Sequence, residues 1–451
     1  MVSSIIRCGM LLYAALLIGE SGQDLHSQRK SIVSQPPMGW NSWDCYGTTV
    51  QETEVKANAD YMASRLKRYG WQYIVVDIQW SDSKAKAHGY RPNADLTMDA
   101  YGRLIPAPNR FPSAAGEHGF KPLADYVHQQ GLKFGIHIMR GIPREAVRAN
   151  TPIYGGKFHA AEVANQNSIC RWNSDMYGVD MSKPGAQDYY NSIAQLYASW
   201  GVDFIKADNM LDPLHSDEIE ALSRAIDNSG RPMVLSLSPG PTKVEDTKFL
   251  AGNAEMWRIS NDFWDRWKDL KNQFALLRNW AAFSQPGSWP DADMLPLGRI
   301  GIRAERGDDR MSRLTHDEQH TLMSLWAIAR SPLMYGGDLP SNDDFSLSLM
   351  TNDEVLAVNQ KATNSRQLSA NGNQIVWASD SEGTGAKYVA AFNVGDSGSQ
   401  YVRVNFSDMG ASHVCDLQDL WDRKTMTKVK DGYTFHLAPH ASALYKLMPS
   451  H

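Results

Sequence analysis

Phe204-Ile205-Lys206-Ala207-Asp208 is a short apolar strand that delivers a lysine and then an aspartate to its C-terminal end. Trp257-Arg258-Ile259-Ser260-Asn261-Asp262 repeats the arrangement with an arginine and a terminal carboxylate. In a barrel of parallel strands that end opens into the active site. Two carboxylates presented there suit glycoside hydrolysis, one attacking the anomeric carbon and the other protonating the leaving oxygen. Asp208 is the first candidate nucleophile. Structural ion pairs, Lys206 with Asp208 and Arg258 with Asp262, account for the same residues, so the motifs alone leave both readings open.

The elements that would position these groups follow a regular order. From Met38 to about Tyr335 strand-like and helix-like segments alternate, the signature of β/α units around a parallel sheet. Tyr73–Asp77, Leu132–His137, Phe204–Asp208, Met233–Leu237 and Trp257–Ile259 read as buried strands, with helices near Pro122–Gln130, Gly185–Trp200, Ser216–Ser229, Trp267–Ala281 and His316–Arg330. Thr49-x-x-Glu52 fits a capping box at the start of a further helix. The aromatic-bearing, aperiodic excursions Ser81–Ala115 and Gly141–Ser182 are expected to grip substrate. Beyond Asn359 the pattern turns to short alternating strands separated by turn clusters, as in an antiparallel β-sandwich. The predicted organisation is a signal peptide over 1–23, a (β/α)8 TIM barrel over 36–358 and an antiparallel β domain over 359–451.

Composition narrows the classes. A chain of 451 residues with 42% hydrophobic and 21% charged residues can bury a large core and suits a barrel plus an appendage. The net charge of −5 and the absence of a lysine/arginine run argue against nucleic-acid binding. Arg7 followed by the apolar run Met10–Ile18 and small or polar residues from Gly19 reads as an export signal too short to span a bilayer, so a secreted or periplasmic protein with no membrane anchor is expected. Its removal would leave Cys45, Cys170 and Cys415, which allow at most one internal disulfide; Cys45–Cys170 is the pairing considered.

Together these motifs resemble glycoside hydrolase family 27, the α-galactosidase family, over essentially the whole chain after the signal. The resemblance rests on Pro37-Met38-Gly39-Trp40-Asn41-Ser42-Trp43, Lys206-x-Asp208, Trp257-Arg258 through Asp262, Trp289-Pro290-Asp291-Ala292-Asp293-Met294-Leu295, and Leu325-Trp326-Ala327-Ile328-Ala329-Arg330-Ser331-Pro332-Leu333, in matching order and spacing. It implies Asp208 as nucleophile, Asp262 as acid/base and retention at the anomeric centre, with Asp262 protonated as the reaction begins while Asp208 is ionised. By position it implies that Arg258 and Asp293 hold sugar hydroxyls, that Lys206 binds a ring hydroxyl and depresses the Asp208 pKa, and that Trp43 offers an apolar face to the sugar. No cofactor or metal is called for.

The departures bear on specificity. Galactosidases of the family carry two consecutive aspartates after the second strand, for O4 and O6 of galactose; here the sequence is Asp77-Ile78-Gln79-Trp80. Isoleucine facing a primary hydroxyl leaves that hydroxyl unpaired, at about 1–3 kcal/mol, but suits β-L-arabinopyranose, which lacks the hydroxymethyl group. His137 stands where a tyrosine is frequent, and Ser236–Thr242, including Ser238, replaces the loop that reads the 2-substituent, although it does not resemble an N-acetylgalactosaminidase loop. The leading expectation is an exo-acting retaining α-galactosidase acting on terminal galactose. The alternative is a β-L-arabinopyranosidase acting on terminal L-arabinopyranose. A non-catalytic carbohydrate-binding barrel is disfavoured by the presence of both carboxylates.

Overall fold

The computed structural model describes residues 25–91 and 93–450; the expected signal segment, 1–23, lies outside them. Eight parallel strands form the first domain: β1 (Met38–Asn41), β2 (Tyr73–Val76), β3 (Lys133–Met139), β4 (Phe204–Asp208), β5 (Val234–Leu237), β6 (Met256–Arg258), β7 (Trp289–Asp291) and β8 (Leu333–Tyr335). Their order is β7-β6-β5-β4-β3-β2-β1-β8. A single parallel bridge, Leu295 to Tyr335, with Leu295 N donating to Met334 O at 2.7 Å, joins the two ends into a barrel.

Period-two alternation along these strands explains both core and site. Tyr73, Val75, Phe204, Val234, Met256, Trp289 and Met334 fill the barrel interior. Ile74, Ile136, Ile205, Leu235 and Trp257, on the opposite faces, pack among the helices. Continuing the inward row past its apolar layer brings Asp77, His137, Lys206, Asp208, Arg258 and Asp293 to one end. Residues 25–32 form a helix that joins this domain from the N-terminal side. Its fully buried Arg29 has Nε 3.1 Å from Asp227, and Lys30 Nζ donates to the carbonyls of Ala254 and Gly287 at 2.6 and 2.9 Å.

The second domain contains β9 (Ala362–Asn371), β10 (Gln374–Ser381), β11 (Lys387–Asn393), β12 (Gln400–Asn405), β13 (Val414–Asp419), β14 (Thr425–Lys430), β15 (Gly432–Leu437) and β16 (Ser442–Pro449). An antiparallel sheet of order β9-β10-β11-β16-β13-β14 and the pair β12-β15 enclose a core that includes Val389, Val404, Phe406, Leu417 and Phe435.

Some local expectations are corrected. The helix Glu52–Tyr61 begins two residues later than the Thr49 capping box implies: Gln51 is its N-cap and reciprocates with Glu54. Thr49 Oγ1 instead donates to Tyr46 O, and Glu52 Oε2 accepts from Ser113 N. Cys45 and Cys170 are free thiols. Cys45 and Cys170 pack in different apolar clusters. Within Gly141–Ser182 the structure has a small sheet of Ile142–Pro143, Met176–Val179 and Ala164–Ile169, without the periodicity that would mark it in sequence.

One apolar core crosses the domain junction, joining Phe274, Leu322 and Trp326 to Trp377, Phe392 and Leu444. Phe274 meets Phe392 edge to face at 5.0 Å, Trp421 Nε1 donates to Ser324 Oγ at 3.0 Å, and Asn352 Nδ2 to Leu420 O at 2.8 Å. Truncation after Asn359 exposes that core, since a large apolar face needs cover. The truncated chain is therefore expected to be insoluble or to lose its near-ultraviolet dichroism. A soluble, fully active barrel would show the second domain to be dispensable.

Candidate active site

The C-terminal ends of the barrel strands surround a cavity of about 560 Å³. Its walls include Trp43, Asp77, Lys206, Asp208, Ser238, Arg258, Asp262 and Asp293, all singled out from sequence. Ile78 and His137 are not on that wall. They line a smaller cavity beside it, although His137 still reaches Asp208.

Asp208, the last residue of β4, is held from several directions. His137 Nε2 lies 3.1 Å from Oδ2, where only the ring nitrogen can donate to an ionised carboxylate. Oδ1 accepts from Asn209 N at 2.8 Å and from Ser238 Oγ at 3.2 Å. Burial raises the carboxyl's pKa, but His137, Lys206 and the Asn209 N–H outweigh it, and the net shift is downward. Ser238 thus serves Asp208 directly.

Lys206 forms its direct ion pair with Asp77, Nζ to Oδ2 at 2.8 Å, and acts on Asp208 through space. Asn41 Nδ2 donates to the same Asp77 oxygen at 2.8 Å and Ile78 N to the other at 2.9 Å. Burial opposes ionisation of Asp77, yet Lys206, His137 and these bonds bring its pKa down to about 2. The two anions in turn hold the Lys206 pKa above its ordinary value against desolvation.

Arg258, ending β6, lies 2.8 Å from Asp293 and 3.3 Å from Asp262. Asp262 remains 42% exposed at its side chain, whereas Arg258 is 4% and Asp293 8% exposed. Asp293 Oδ2 also accepts from Phe263 N at 2.7 Å, tying the Asp262 loop to the end of β7. Asp293 has φ 86°, an uncommon conformation for a residue with a Cβ and one that clusters at functional sites. Below it, Asp291 is buried; burial, opposed by Arg258 and reinforced by Asp293, moves its pKa to about 7.

Asp44, Tyr90, Trp172, Trp264, Glu305 and Arg306 also line the cavity and went unnoticed in sequence; Met294 lines it too and was quoted only as part of a motif. Tyr90 stacks on Trp43 at 5.6 Å and comes from the first long excursion, Trp172 from the second. Trp172 was detectable as an aromatic residue in an aperiodic excursion. Asp44 directly follows the quoted Pro37–Trp43 motif.

Carboxyls shifted in opposite directions at one barrel end, Asp208 downward and Asp293 upward, together with the exposed Asp262, form a site for acid–base and nucleophilic chemistry on a polyhydroxylated substrate. Fold and site together define a two-domain barrel glycosidase. The family model described as alpha galactosidase A matches residues 35–182 and 178–361, and that for the alpha galactosidase C-terminal beta sandwich domain matches 371–447. The chain belongs to glycoside hydrolase family 27. A GH27 β-L-arabinopyranosidase structure from Geobacillus stearothermophilus is 52% identical, with a TM-score of 0.92, over 94% of this chain and 99% of that one. Alpha-galactosidase 2 of Arabidopsis thaliana is 30% identical over 95% of this chain and 93% of its own length. The alpha-galactosidase of Cyamopsis tetragonoloba is 30% identical over 92% and 86%.

Asp291 generates a pH prediction. The unfolded chain releases this proton near the ordinary 3.8 and the folded chain near about 7, so Asp291 destabilises the fold as pH rises between those values. Asp291→Asn is expected to remove that component, making the decline in Tm from about pH 4 to 7 shallower, or the rise steeper, than in wild type. Parallel thermal melts across this range check it; identical pH dependence would reject the elevated pKa.

Proposed function

We propose that this glycosidase is a β-L-arabinopyranosidase that retains anomeric configuration, with Asp208 as nucleophile and Asp262 as acid/base. The observation that carries the choice of sugar is Ile78. It is 4% exposed, next to Asp77 in sequence, and packed in an apolar cluster with Trp43, Met139, Cys170 and Met176. A hydroxymethyl group directed at Ile78 meets an alkyl side chain where an aspartate would accept its hydrogen bond, whereas a pentopyranose has no such group to satisfy. The 52% identity to an arabinopyranosidase supports the same choice. Galactoside hydrolysis is the second reading, supported by the 30% identical α-galactosidases.

In the first half-reaction the Asp208 carboxylate forms a bond to the anomeric carbon as the bond to the leaving oxygen breaks, and Asp262 transfers its proton to that oxygen. In the second, Asp262 takes a proton from water, whose oxygen displaces Asp208. His137, Lys206, Asn209 N–H and Ser238 stabilise the Asp208 anion, and the greater exposure of Asp262 suits exchange with water. Asp77, Arg258 and Asp293 are proposed to hold hydroxyls, with Trp43 against the ring. Export after removal of residues 1–23 is proposed from the apolar Met10–Ile18 run.

Asp208→Asn and Asp262→Asn are each expected to lower turnover of an unactivated glycoside by at least about 10²–10⁴-fold. Near-native activity in either folded variant would refute its assigned role. Wild-type kcat/KM is expected to be higher on nitrophenyl β-L-arabinopyranoside than on nitrophenyl α-D-galactopyranoside. Ile78→Asp should raise the galactoside-to-arabinopyranoside ratio by roughly 5- to 150-fold. A wild-type preference for galactoside together with an unchanged ratio would establish the second reading.

A further inference from the structure

Asp44 lies in the turn Trp43–Tyr46 that follows β1, on the wall of the cavity. It is 2% exposed, and its Oδ2 has no hydrogen-bond partner among the described residues. Its backbone is fixed, the carbonyl accepting from Gly301 N at 2.8 Å. Room for the carboxyl comes from Gly336, just past β8: an ideal Cβ there would stand 2.0 Å from Oδ2. The fold thus seats a carboxyl on the cleft wall and leaves part of its hydrogen-bonding capacity unused. A buried polar atom in that condition opposes folding and calls for a specific explanation, a ligand among them.

We propose that Asp44 is a specificity-determining residue whose carboxyl hydrogen-bonds a ring hydroxyl of the bound sugar. Burial, with the nearby carboxylates of Asp293, Asp262 and Asp77 and against the opposing charge of Lys206, raises its pKa well above the ordinary value. That shift favours the protonated form, which can both donate to a hydroxyl oxygen and accept from a hydroxyl proton. Desolvated and already oriented, it discriminates against a sugar that lacks its partner. Arabinopyranose and galactopyranose share the O2, O3 and O4 hydroxyls. The inference rests on the cleft being a glycoside site but not on which of these sugars it prefers.

The test compares wild type, Asp44→Ala and Asp44→Asn on the better of the two parent nitrophenyl glycosides and on its 2-, 3- and 4-deoxy analogues. Asp44→Ala is expected to lower kcat/KM on the parent by about 10- to 100-fold and to abolish the additional loss caused by one particular deoxygenation, leaving the other two unchanged. Asp44→Asn, which keeps the size and both hydrogen-bonding functions, should lose less than about tenfold. The Tm of Asp44→Ala should equal or exceed that of wild type, because the substitution removes an unpaired buried oxygen. Wild-type kcat/KM in Asp44→Ala, deoxygenation penalties identical to those of wild type, or a lowered Tm in both variants would overturn the proposal. Failure of the glycosidase reading is separate: wild type would hydrolyse neither parent glycoside.

Discussion

The ion pair between Lys206 and Asp77 sets the electrostatics of the cleft. Asp44, Asp77, Asp208, Asp262, Asp291 and Asp293 crowd the C-terminal end of the barrel, and the buried cations facing them are Lys206 and Arg258. Burial alone favours the neutral form of Asp44, Asp77, Asp208, Asp291 and Asp293. Those that Lys206 and His137 serve, Asp77 and Asp208, are pulled toward ionisation. Asp44 and Asp291, lacking a comparably close cation, are pushed the other way. Asp293 also shifts upward despite its 2.8 Å contact with Arg258, because desolvation and Asp262 act against that contact. A scarcity of positive charge thus spreads the proton affinities of the buried carboxyls apart.

That arrangement requires side chains from separate strands to converge, and the barrel supplies convergence through its interior. Phe204, Lys206 and Asp208 share one face of β4, just as Met256 and Arg258 share one face of β6. The apolar member of each row fixes the depth of the strand by packing, and the polar members then fall at the mouth. The Asp262 loop, by contrast, carries its carboxylate beyond the end of β6. It is restrained by Phe263 N on Asp293, by Phe263 against Trp326 at 5.2 Å, and by Arg310 on Asp265. Rigid anchors on both sides of a half-exposed acid combine accurate placement with access to water.

What was legible in the sequence follows from the same physics. Asp208 and Arg258 end short apolar runs, so their strands could be read directly. The helices between them have apolar stripes, and their bounds differ from expectation by a residue or so. Glu52 was misread because Thr-x-x-Glu is a local pattern, whereas Ser113 and Lys56 engage that glutamate in the fold. The short strands Ala164–Ile169 and Met176–Val179 have no alternating apolar face, so only their pairing defines them. Asp44 escaped for a related reason. Its isolation depends on Gly336, nearly three hundred residues away in sequence, and only the closed barrel brings the two together.

One fold can serve different sugars through a few residues at its strand ends. At the second strand Asp77 takes bonds from Asn41, Lys206 and Ile78 N, and so presents a fixed anion to its side of the cleft. One residue further on, Ile78 belongs to an apolar cluster that Trp43 shares with the wall. A second aspartate there would need a cation or a hydroxyl partner in surroundings that already concentrate negative charge, and Lys206 is engaged by Asp77. An isoleucine removes that requirement and strengthens packing behind Trp43. An isoleucine in place of an aspartate also relieves this end of the barrel of one carboxylate, so charge balance is constrained at the position proposed to decide the sugar.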